Sequence, residues 1–152
     1  MKQNTNKKES QGVKVIPIGG LNGIGKNMTL LEYQDQILVI DCGMTFPEDE
    51  MYGIDIVLPD FSYLQTAGKK IKGVILTHGH EDHIGAIPYF LKVLNAPIYG
   101  TRLTLGLVKS KLEEHGLKGK LNTIKPGDKF KLGPFGIETI RTTHSIADAV
   151  CF

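Results

Sequence analysis

Residues 78–83 read HGHEDH and place three imidazoles and two carboxylates within six consecutive positions. The apolar run 74–76 directly before them predicts a buried strand, and residues 84–87 directly after them predict the start of a helix. A loop held between a strand and a helix can keep metal ligands in an open, reactive geometry. Desolvating so many polar groups is costly unless something binds them. The segment therefore predicts a metal site.

The spacing within this segment suggests how its ligands divide between two ions. In an extended chain, His78 and His80 point to the same side, so both imidazoles can reach one ion. Asp82 and His83 follow the turn into the helix and are expected to face a second ion. His144, on a distant loop, is the natural third imidazole for the first ion. Two ions about 3.5–4 Å apart can share a hydroxide that attacks carbonyl or phosphoryl centres.

The ligand types favour zinc, with manganese as the alternative, because imidazole and carboxylate occur without thiolate. The second site lacks a bridging carboxylate and a further histidine. Asp148 is expected to lie too close to His144 to supply the carboxylate, so we expect sequence beyond Phe152 to complete the site. His115 ends a predicted helix, where a cation is favoured, and is not expected to bind metal. Taken alone, Asp82 could instead cap the following helix.

The composition is that of one globular domain: 152 residues, 41% apolar and 22% charged. No apolar run approaches the roughly 18 residues that span a bilayer, so no membrane association is expected. Residues 1–12 predict a disordered arm, and residues 1–10 have no apolar core of a signal peptide. Cys42 and Cys151 lie in apolar runs without metal-ligand spacing, which predicts core residues of a reduced, cytoplasmic protein.

Charge is unevenly distributed although the net charge is only +2. Residues 102–131 hold eight basic side chains, which either face a polyanion or form a solvated surface. Residues 44–60 hold five acidic side chains and no basic one. The glycine-rich segment 19–25 does not match a dinucleotide fingerprint, so it is either a tight turn or an anion-binding nest of backbone N–H groups.

The hydrophobic pattern predicts a mixed α/β (α+β) fold. Helices are predicted from residue 84 to 94, with Pro88 in the first turn, and from the Thr101 cap to His115, with Gly116 as the stop. Residues 44–62 predict a long loop. Strands are predicted at residues 13–18, 28–33, 36–41, 70–76 and 97–99, hairpin-like pieces at 122–124, 128–132 and 135–142, and a further strand start at 149–152.

Several segments carry a family resemblance. The H-x-H-x-D-H run resembles that of the metallo-β-lactamase superfamily, whose fold is an αββα sandwich. Within it, the chain from residue 13 onward resembles the ribonuclease J family of β-CASP nucleases, and Gly23 departs from that family where an acidic residue is expected. The segments that carry the resemblance are IGGLNGIGKNM at 18–28, DCGM at 41–44, FPEDEMYGID at 46–55, LTHGHEDHIGAIPY at 76–89 and THSI at 143–146.

The resemblance implies a bacterial, cytoplasmic ribonuclease with two zinc ions and both 5′-to-3′ exonuclease and endonuclease activity on single-stranded RNA, acting in RNA processing and decay, including that of ribosomal RNA. It implies that His78, His80 and His144 hold one zinc and that Asp82 and His83 belong to the second. Asp82 would also be catalytic, and Asp41 would order the metal loop. It further implies a later β-CASP domain and a C-terminal domain that supports homo-oligomers or hetero-oligomers with a paralogue.

Residues 13–152 would then be the first half of the metallo-β-lactamase domain, and this piece alone is expected to be inactive, with an exposed sheet edge after Phe152. Two other functions stay open from the sequence. One is a hydrolase of the same fold that acts on a thioester, a lactone or a small phosphodiester. The other is a non-catalytic RNA-binding or assembly subunit, although such a subunit would be expected to have lost metal ligands.

Overall fold

The computed structural model of the protein describes residues 12–152. The arm predicted at residues 1–12 therefore lies outside the described residues, apart from Gly12. The strands are β1 (Lys14–Gly19), β2 (Met28–Tyr33), β3 (Gln36–Ile40), β4 (Lys70–Ile75), β5 (Ile98–Gly100), β6 (Leu121–Thr123), β7 (Lys129–Leu132), β8 (Phe135–Glu138), β9 (Ile140–Arg141) and β10 (Val150–Cys151). The helices are α1 (Ser62–Thr66), α2 (Glu81–Ile84), α3 (Ile87–Val93) and α4 (Arg102–Glu114).

Within the described range, the main sheet has six strands in the order β1-β2-β3-β4-β5-β6. β1, β2 and β3 are antiparallel neighbours, and the predicted turn between β2 and β3 is confirmed, with Gln34 at φ 56°. β3 to β6 run parallel, because helical segments cross over the sheet between successive strands. The carboxyl ends of β3, β4 and β5 therefore share one edge of the sheet, and the HGHEDH segment leaves from β4 at that edge.

The helices pack on one face of this sheet and form the larger core. Alternate residues of β3 divide between the two faces: Ile37 and Val39 point toward the helices, and Leu38 points away. Phe90 of α3 and Val108 of α4 are both fully buried against the helical face. Burying one such large apolar side chain stabilises the fold by about 1.5–3 kcal/mol. This core holds the sheet edge and the helices that carry the ligand segment.

The β7-β8 hairpin covers the opposite face of the sheet. Its Leu132 and Ile137 pack with Leu38 and Ile75 in a second, smaller core. Tyr99 of β5 stacks on Phe130 with ring centroids 5.5 Å apart. The layers are therefore helices, sheet and hairpin, as expected for the α/β (α+β) sandwich.

Several predicted elements differ from the structure. The helix predicted from residue 84 is wrong at its start: α2 begins at Glu81, and the chain then breaks before α3. The break occurs because the Ala86 N–H donates to the Cys42 carbonyl, 3.0 Å away, instead of continuing the helix. Pro88 does lie in the first turn of α3, as predicted. Residues 122–124 do not form a hairpin; β6 pairs in parallel with β5.

Two further expectations need correction. Cys42 is fully buried, but Cys151 is exposed, because side chains alternate along β10 and Val150 takes the inward position. Thr101 does precede α4, but its hydroxyl bonds the Thr104 hydroxyl at 3.0 Å rather than a backbone N–H of the helix. The predicted stop at Gly116 is confirmed, with φ +64°.

Candidate metal centre

The ligand segment is positioned by the end of β3 and by the distant strand β10. Asp41, just after β3, accepts the Thr77 N–H at 2.8 Å and so fixes the chain one residue before His78. The Thr77 carbonyl accepts the Val150 N–H at 2.9 Å. Because β10 follows the loop that carries His144, this bond draws that loop to the end of β4. Residues far apart in sequence thus meet at one edge of the sheet.

His78, His80 and His144 converge, as the sequence predicts. The Nε2 of His78 lies 3.1 Å from the Nδ1 of His80, and the Nε2 of His144 lies 3.2 Å from the same Nδ1. One nitrogen from each ring lies within 4.8 Å of the others. His78 is buried, His80 is half-buried and His144 is exposed. The group is therefore open to solvent on the side of His144.

The spacing of these nitrogens suits a zinc ion. A tetrahedral zinc with bonds of about 2.0–2.1 Å keeps its ligand nitrogens roughly 3.3 Å apart. The two short nitrogen–nitrogen distances, 3.1 and 3.2 Å, lie close to that value. Three imidazoles leave a fourth coordination position for water or substrate, which is the arrangement of a catalytic site. The residues present therefore fit the ion that the sequence predicts.

Asp82 and His83 form a second group beside the three imidazoles. Asp82 Oδ2 lies 3.4 Å from His83 Nε2, and the ring centroids of His83 and His78 are 4.0 Å apart. The alternative role of Asp82 as a helix cap is wrong: His80 occupies the N-cap position of α2, and Asp82 lies in its first turn. Among residues 12–152, Asp82 and His83 do not belong to a group of three or more metal-binding side chains, so the second ion site stays a prediction.

Asp41 and Thr77 orient the His78 and His83 rings by contacting their Nδ1 atoms. Asp41 Oδ2 lies 2.8 Å from His83 Nδ1, so in the neutral imidazole Nδ1–H donates this hydrogen bond and the lone pair lies on Nε2. The Thr77 hydroxyl lies 2.9 Å from Asp41 Oδ2 and 2.9 Å from His78 Nδ1. The ordering role that the resemblance implies for Asp41 agrees with these contacts. Thr77 carried no comparable signal in the sequence.

The protonation of the two inner histidines differs. Burial is the largest of the causes that together lower the pKa of His78 to about 4, and the nearby His83 and His144 rings contribute to this shift. His78 is therefore neutral at pH 7 and can donate a lone pair. Burial also lowers the pKa of His83. The hydrogen bond and charge of Asp41, together with the charge of Asp82, outweigh burial and raise it above its usual value.

The remaining candidates lie elsewhere. The ring of His115 packs edge-on against Tyr89, 5.1 Å between centroids, at the end of α4. Asp148 accepts the Leu103 N–H at 3.3 Å and so bonds to the first turn of α4, not to the imidazoles. The sequence disfavours both residues as ligands, and both have the structural contacts given above.

The glycine-rich segment lies against the metal centre, and a residue that follows it contacts Asp82 in a way that the sequence did not predict. Asn27, just after this segment, donates its side-chain amide to Asp82 Oδ2 at 3.0 Å. The sequence held no signal for this contact, because Asn27 lies 55 positions from Asp82. The Lys26 and Asn27 N–H groups donate to the carbonyls of Met44 and Asp82, at 3.0 and 2.9 Å. These bonds favour the tight turn; the anion nest stays a prediction.

The basic segment is partly neutralised by the fold. Lys111 pairs with Glu81 at 2.7 Å and so ties α4 to the first turn of α2. Lys129 pairs with Glu138 at 3.2 Å across the β7-β8 hairpin. These ion pairs favour a solvated surface for that part of the segment. In the described part of the chain, no helix is both long and apolar enough to cross a bilayer.

Comparison with known proteins agrees with the fold and the centre. The sequence model of the metallo-beta-lactamase superfamily matches residues 21–148, which include every residue of the centre. The chain belongs to the metallo-beta-lactamase superfamily. Within this superfamily, the proteins that match the chain include relatives named ribonuclease J, in agreement with the resemblance found in the sequence. The chain is 50% identical over 147 residues to "Ribonuclease J" of Synechocystis and 50% identical over 151 residues to "Ribonuclease J" of Helicobacter pylori.

These relatives are longer proteins. The match covers 94% of this chain and 23% of the Synechocystis protein, and 97% of this chain and 22% of the Helicobacter protein. "Ribonuclease J" of Thermus thermophilus is 46% identical over an alignment of 145 residues, and that match covers 90% of this chain and 25% of that protein. The chain thus spans about a quarter of the length of the curated relatives that it matches.

Solved structures share the fold at much lower identity. A protein of unknown function from Enterococcus faecalis superposes with a TM-score of 0.68 and 18% identity, covering 91% of this chain and 39% of that one. A diphosphatase of the PhnP family superposes with a TM-score of 0.60 and 17% identity, covering 82% of this chain and 47% of that one. At such identities the likeness concerns the fold alone.

Proposed function

We propose that the protein is a zinc-dependent ribonuclease that hydrolyses phosphodiester bonds of single-stranded RNA. The observation that carries the proposal is the convergence of His78, His80 and His144 in a zinc-sized group. The relatives named ribonuclease J, at about half identity across nearly the whole chain, support RNA as the substrate. His78, His80 and His144 would hold one ion, and Asp82 and His83 would contribute to a second; manganese is the alternative metal.

A bound pair of such ions supplies a hydroxide nucleophile and offsets the charge that develops on the phosphate oxygens. The chain's own residues prepare that chemistry. His78 stays neutral at pH 7 because burial holds its pKa at about 4. Asp41 accepts a hydrogen bond from His83 Nδ1–H and so directs Nε2 inward. Asp82 Oδ2 is bonded to Asn27, so Oδ1 would be the oxygen that accepts a proton from the attacking water.

The wider biology follows the relatives and belongs to the same proposal. We propose both 5′-to-3′ exonucleolytic and endonucleolytic cleavage, in RNA processing and decay that includes ribosomal RNA, within the cytoplasm. Because the chain spans about a quarter of its relatives, residues 13–152 would be the N-terminal part of the metallo-beta-lactamase domain of a longer protein. A β-CASP domain and an oligomerising C-terminal domain would complete it, and residues 1–152 alone would be inactive.

The first experiment compares wild type with His80→Ala in the complete protein as it is encoded. His80 Nδ1 is the nitrogen closest to both other imidazoles, so its loss removes the centre of the group. Cleavage of 5′-labelled single-stranded RNA with zinc or manganese should fall by at least about 1000-fold, since catalysis needs the metal hydroxide. RNA affinity in a filter-binding assay should change less than threefold.

The matched control is His115→Ala, which removes an imidazole that packs on Tyr89 outside the centre. This variant should cleave RNA at the wild-type rate. Undiminished cleavage by His80→Ala would contradict the metal assignment. A wild-type protein that hydrolyses a thioester, a lactone or a small phosphodiester but not RNA would instead favour the other hydrolase. RNA binding without any hydrolysis would favour the non-catalytic subunit.

A further inference from the structure

Asn27 contacts both members of the Asp82–His83 pair. Its side-chain nitrogen lies 3.0 Å from Asp82 Oδ2 and 3.2 Å from His83 Nε2. Those two acceptor atoms are themselves 3.4 Å apart. The three atoms form a compact triangle at the start of α2. One side chain from the glycine-rich turn thus reaches both groups that the proposed function assigns to the second cation.

The chemistry of the neighbours fixes which end of the amide faces them. In the neutral imidazole, which is the form that binds a cation, His83 Nδ1 donates to Asp41, so His83 Nε2 offers a lone pair and not a proton. Asp82 Oδ2 is likewise an acceptor. Both partners therefore require N–H donors, and only the NH₂ end of the Asn27 amide supplies two. Without these donors, the carboxylate oxygen and the imidazole lone pair would face each other at short range and repel.

The backbone of Asn27 is bonded to the same turn. Its N–H donates to the Asp82 carbonyl at 2.9 Å, and its carbonyl accepts the Gly43 N–H at 3.0 Å. Gly20 leaves room for the amide: it has φ +81°, and a Cβ there would lie 2.7 Å from Asn27 Oδ1. The amide is therefore held in place from both sides before any cation binds, which lowers the cost of ordering the pair.

We propose that Asn27 is a positioning residue whose amide holds Asp82 Oδ2 beside His83 Nε2 and so presents the two atoms as one ligand pair to a divalent cation. This inference rests on the proposed function, because it concerns the second cation of that site. Asp82 Oδ2 keeps a second lone pair for the cation, so the Asn27–Asp82 bond and the cation do not exclude each other. His83 Nε2 has a single lone pair, so its contact with the Asn27 amide is made only until the cation takes that lone pair. Outer partners of metal ligands typically change metal affinity 10- to 100-fold.

The test is a calorimetric titration of the metal-stripped complete protein with zinc, and a parallel titration with cobalt followed by its visible absorption. Asn27→Leu keeps the branched shape of the side chain, with the same number of heavy atoms, and removes both donors. We expect it to weaken one class of cation site at least about tenfold, leave the other class unchanged and alter the cobalt spectrum of the weakened class. Asn27→Ser restores a single, shorter donor and should give an intermediate affinity.

The matched control is Asn122→Ala, whose amide donates only to the carbonyls of Ile98 and Lys120, at 3.2 and 3.3 Å. This variant should keep both affinities. Equal affinities in wild type, Asn27→Leu and Asn27→Ser would overturn the inference and leave the proposed function standing. Equal losses in Asn27→Leu and Asn122→Ala would also overturn it, because general destabilisation would then explain both. A wild-type protein that binds no cation would refute the proposed function itself.

Discussion

Gly43 packs directly against the backbone of Asp82 and His83 in the ligand segment. We therefore expect Gly43→Ala, which adds one methyl group, to push the ligand segment away from the end of β3. A Cβ at Gly43 would lie 1.6 Å from the Asp82 carbonyl oxygen and 2.8 Å from the His83 backbone nitrogen. Ordinary contact begins near 3.4 Å, so the two backbones would have to move apart by about 1.8 Å. Both neighbours are main-chain atoms held by their own bonds, so no side-chain rotation relieves the overlap.

The cost can be worked out from the hydrogen bonds that cross this contact. The N–H groups of Cys42, Gly43 and Met44 donate to the carbonyls of His83, Asn27 and Glu81, at 2.8, 3.0 and 3.1 Å. At about 1 kcal/mol each, Gly43→Ala forfeits roughly 3 kcal/mol of local stability. A loss of that size raises the population of the open state by roughly 100-fold, since 1.4 kcal/mol corresponds to a factor of ten.

Amide hydrogen exchange followed by mass spectrometry measures this directly. In Gly43→Ala, the Cys42 amide should exchange about 100-fold faster than in wild type. The control is Gly23→Ala, because a Cβ at Gly23 meets nothing within 4 Å. That variant should exchange like wild type throughout residues 41–44. Exchange in Gly43→Ala within threefold of wild type would refute the close-approach argument.

Two other buried groups make sharp predictions. Hydrogen bonds from Lys69 and Tyr63 lower the pKa of buried Glu32 to about 2, so its contribution is complete above pH 4.5 and disappears as the pH falls toward 2. In urea unfolding at pH 6, Glu32→Gln should have a free energy of unfolding about 2 kcal/mol lower than wild type, and this difference should disappear below pH 3. The control is Glu138→Gln, which removes an exposed ion pair with Lys129 and should leave the free energy of unfolding unchanged. Burial raises the pKa of the Cys42 thiol, so iodoacetamide at pH 8 should modify Cys151 and spare Cys42 until the protein unfolds; labelling of Cys42 in the folded protein would contradict its burial.

Local patterns predicted the sheet and the imidazoles well. The sequence predicts β2, β3 and β4 from alternating and continuous apolar residues. These predictions are correct because each strand lies inside the main sheet, where the apolar side chains are buried. His78 and His80 were found because their spacing and their place after β4 are also local features. His144 was reached through the chemistry of a missing third ligand and through the family resemblance, and the structure brings it to the group.

Long-range backbone bonds account for what the sequence did not reveal. α2 and α3 are separate because the Ala86 N–H is captured by Cys42, a contact across 44 positions that no periodicity encodes. Asn27 belongs to the centre because of bonds to residues 55 and 56 positions away. Cys151 is exposed because Val150, its neighbour in the two-residue strand β10, takes the buried position. Both residues belong to an apolar run, so the sequence does not specify which of the two is buried.

The most direct measurement of the central claim is anomalous diffraction at the zinc edge from crystals of the complete protein grown with zinc. The account predicts a peak bonded at about 2.0–2.1 Å to His78 Nε2, His80 Nδ1 and His144 Nε2, the atoms that already lie 3.1 and 3.2 Å apart across His80. A fourth position on that ion should hold water. A second peak beside Asp82 and His83 would mark the second ion and agree with the account. The absence of a peak bonded to these three nitrogens, at full zinc occupancy in solution, would contradict it.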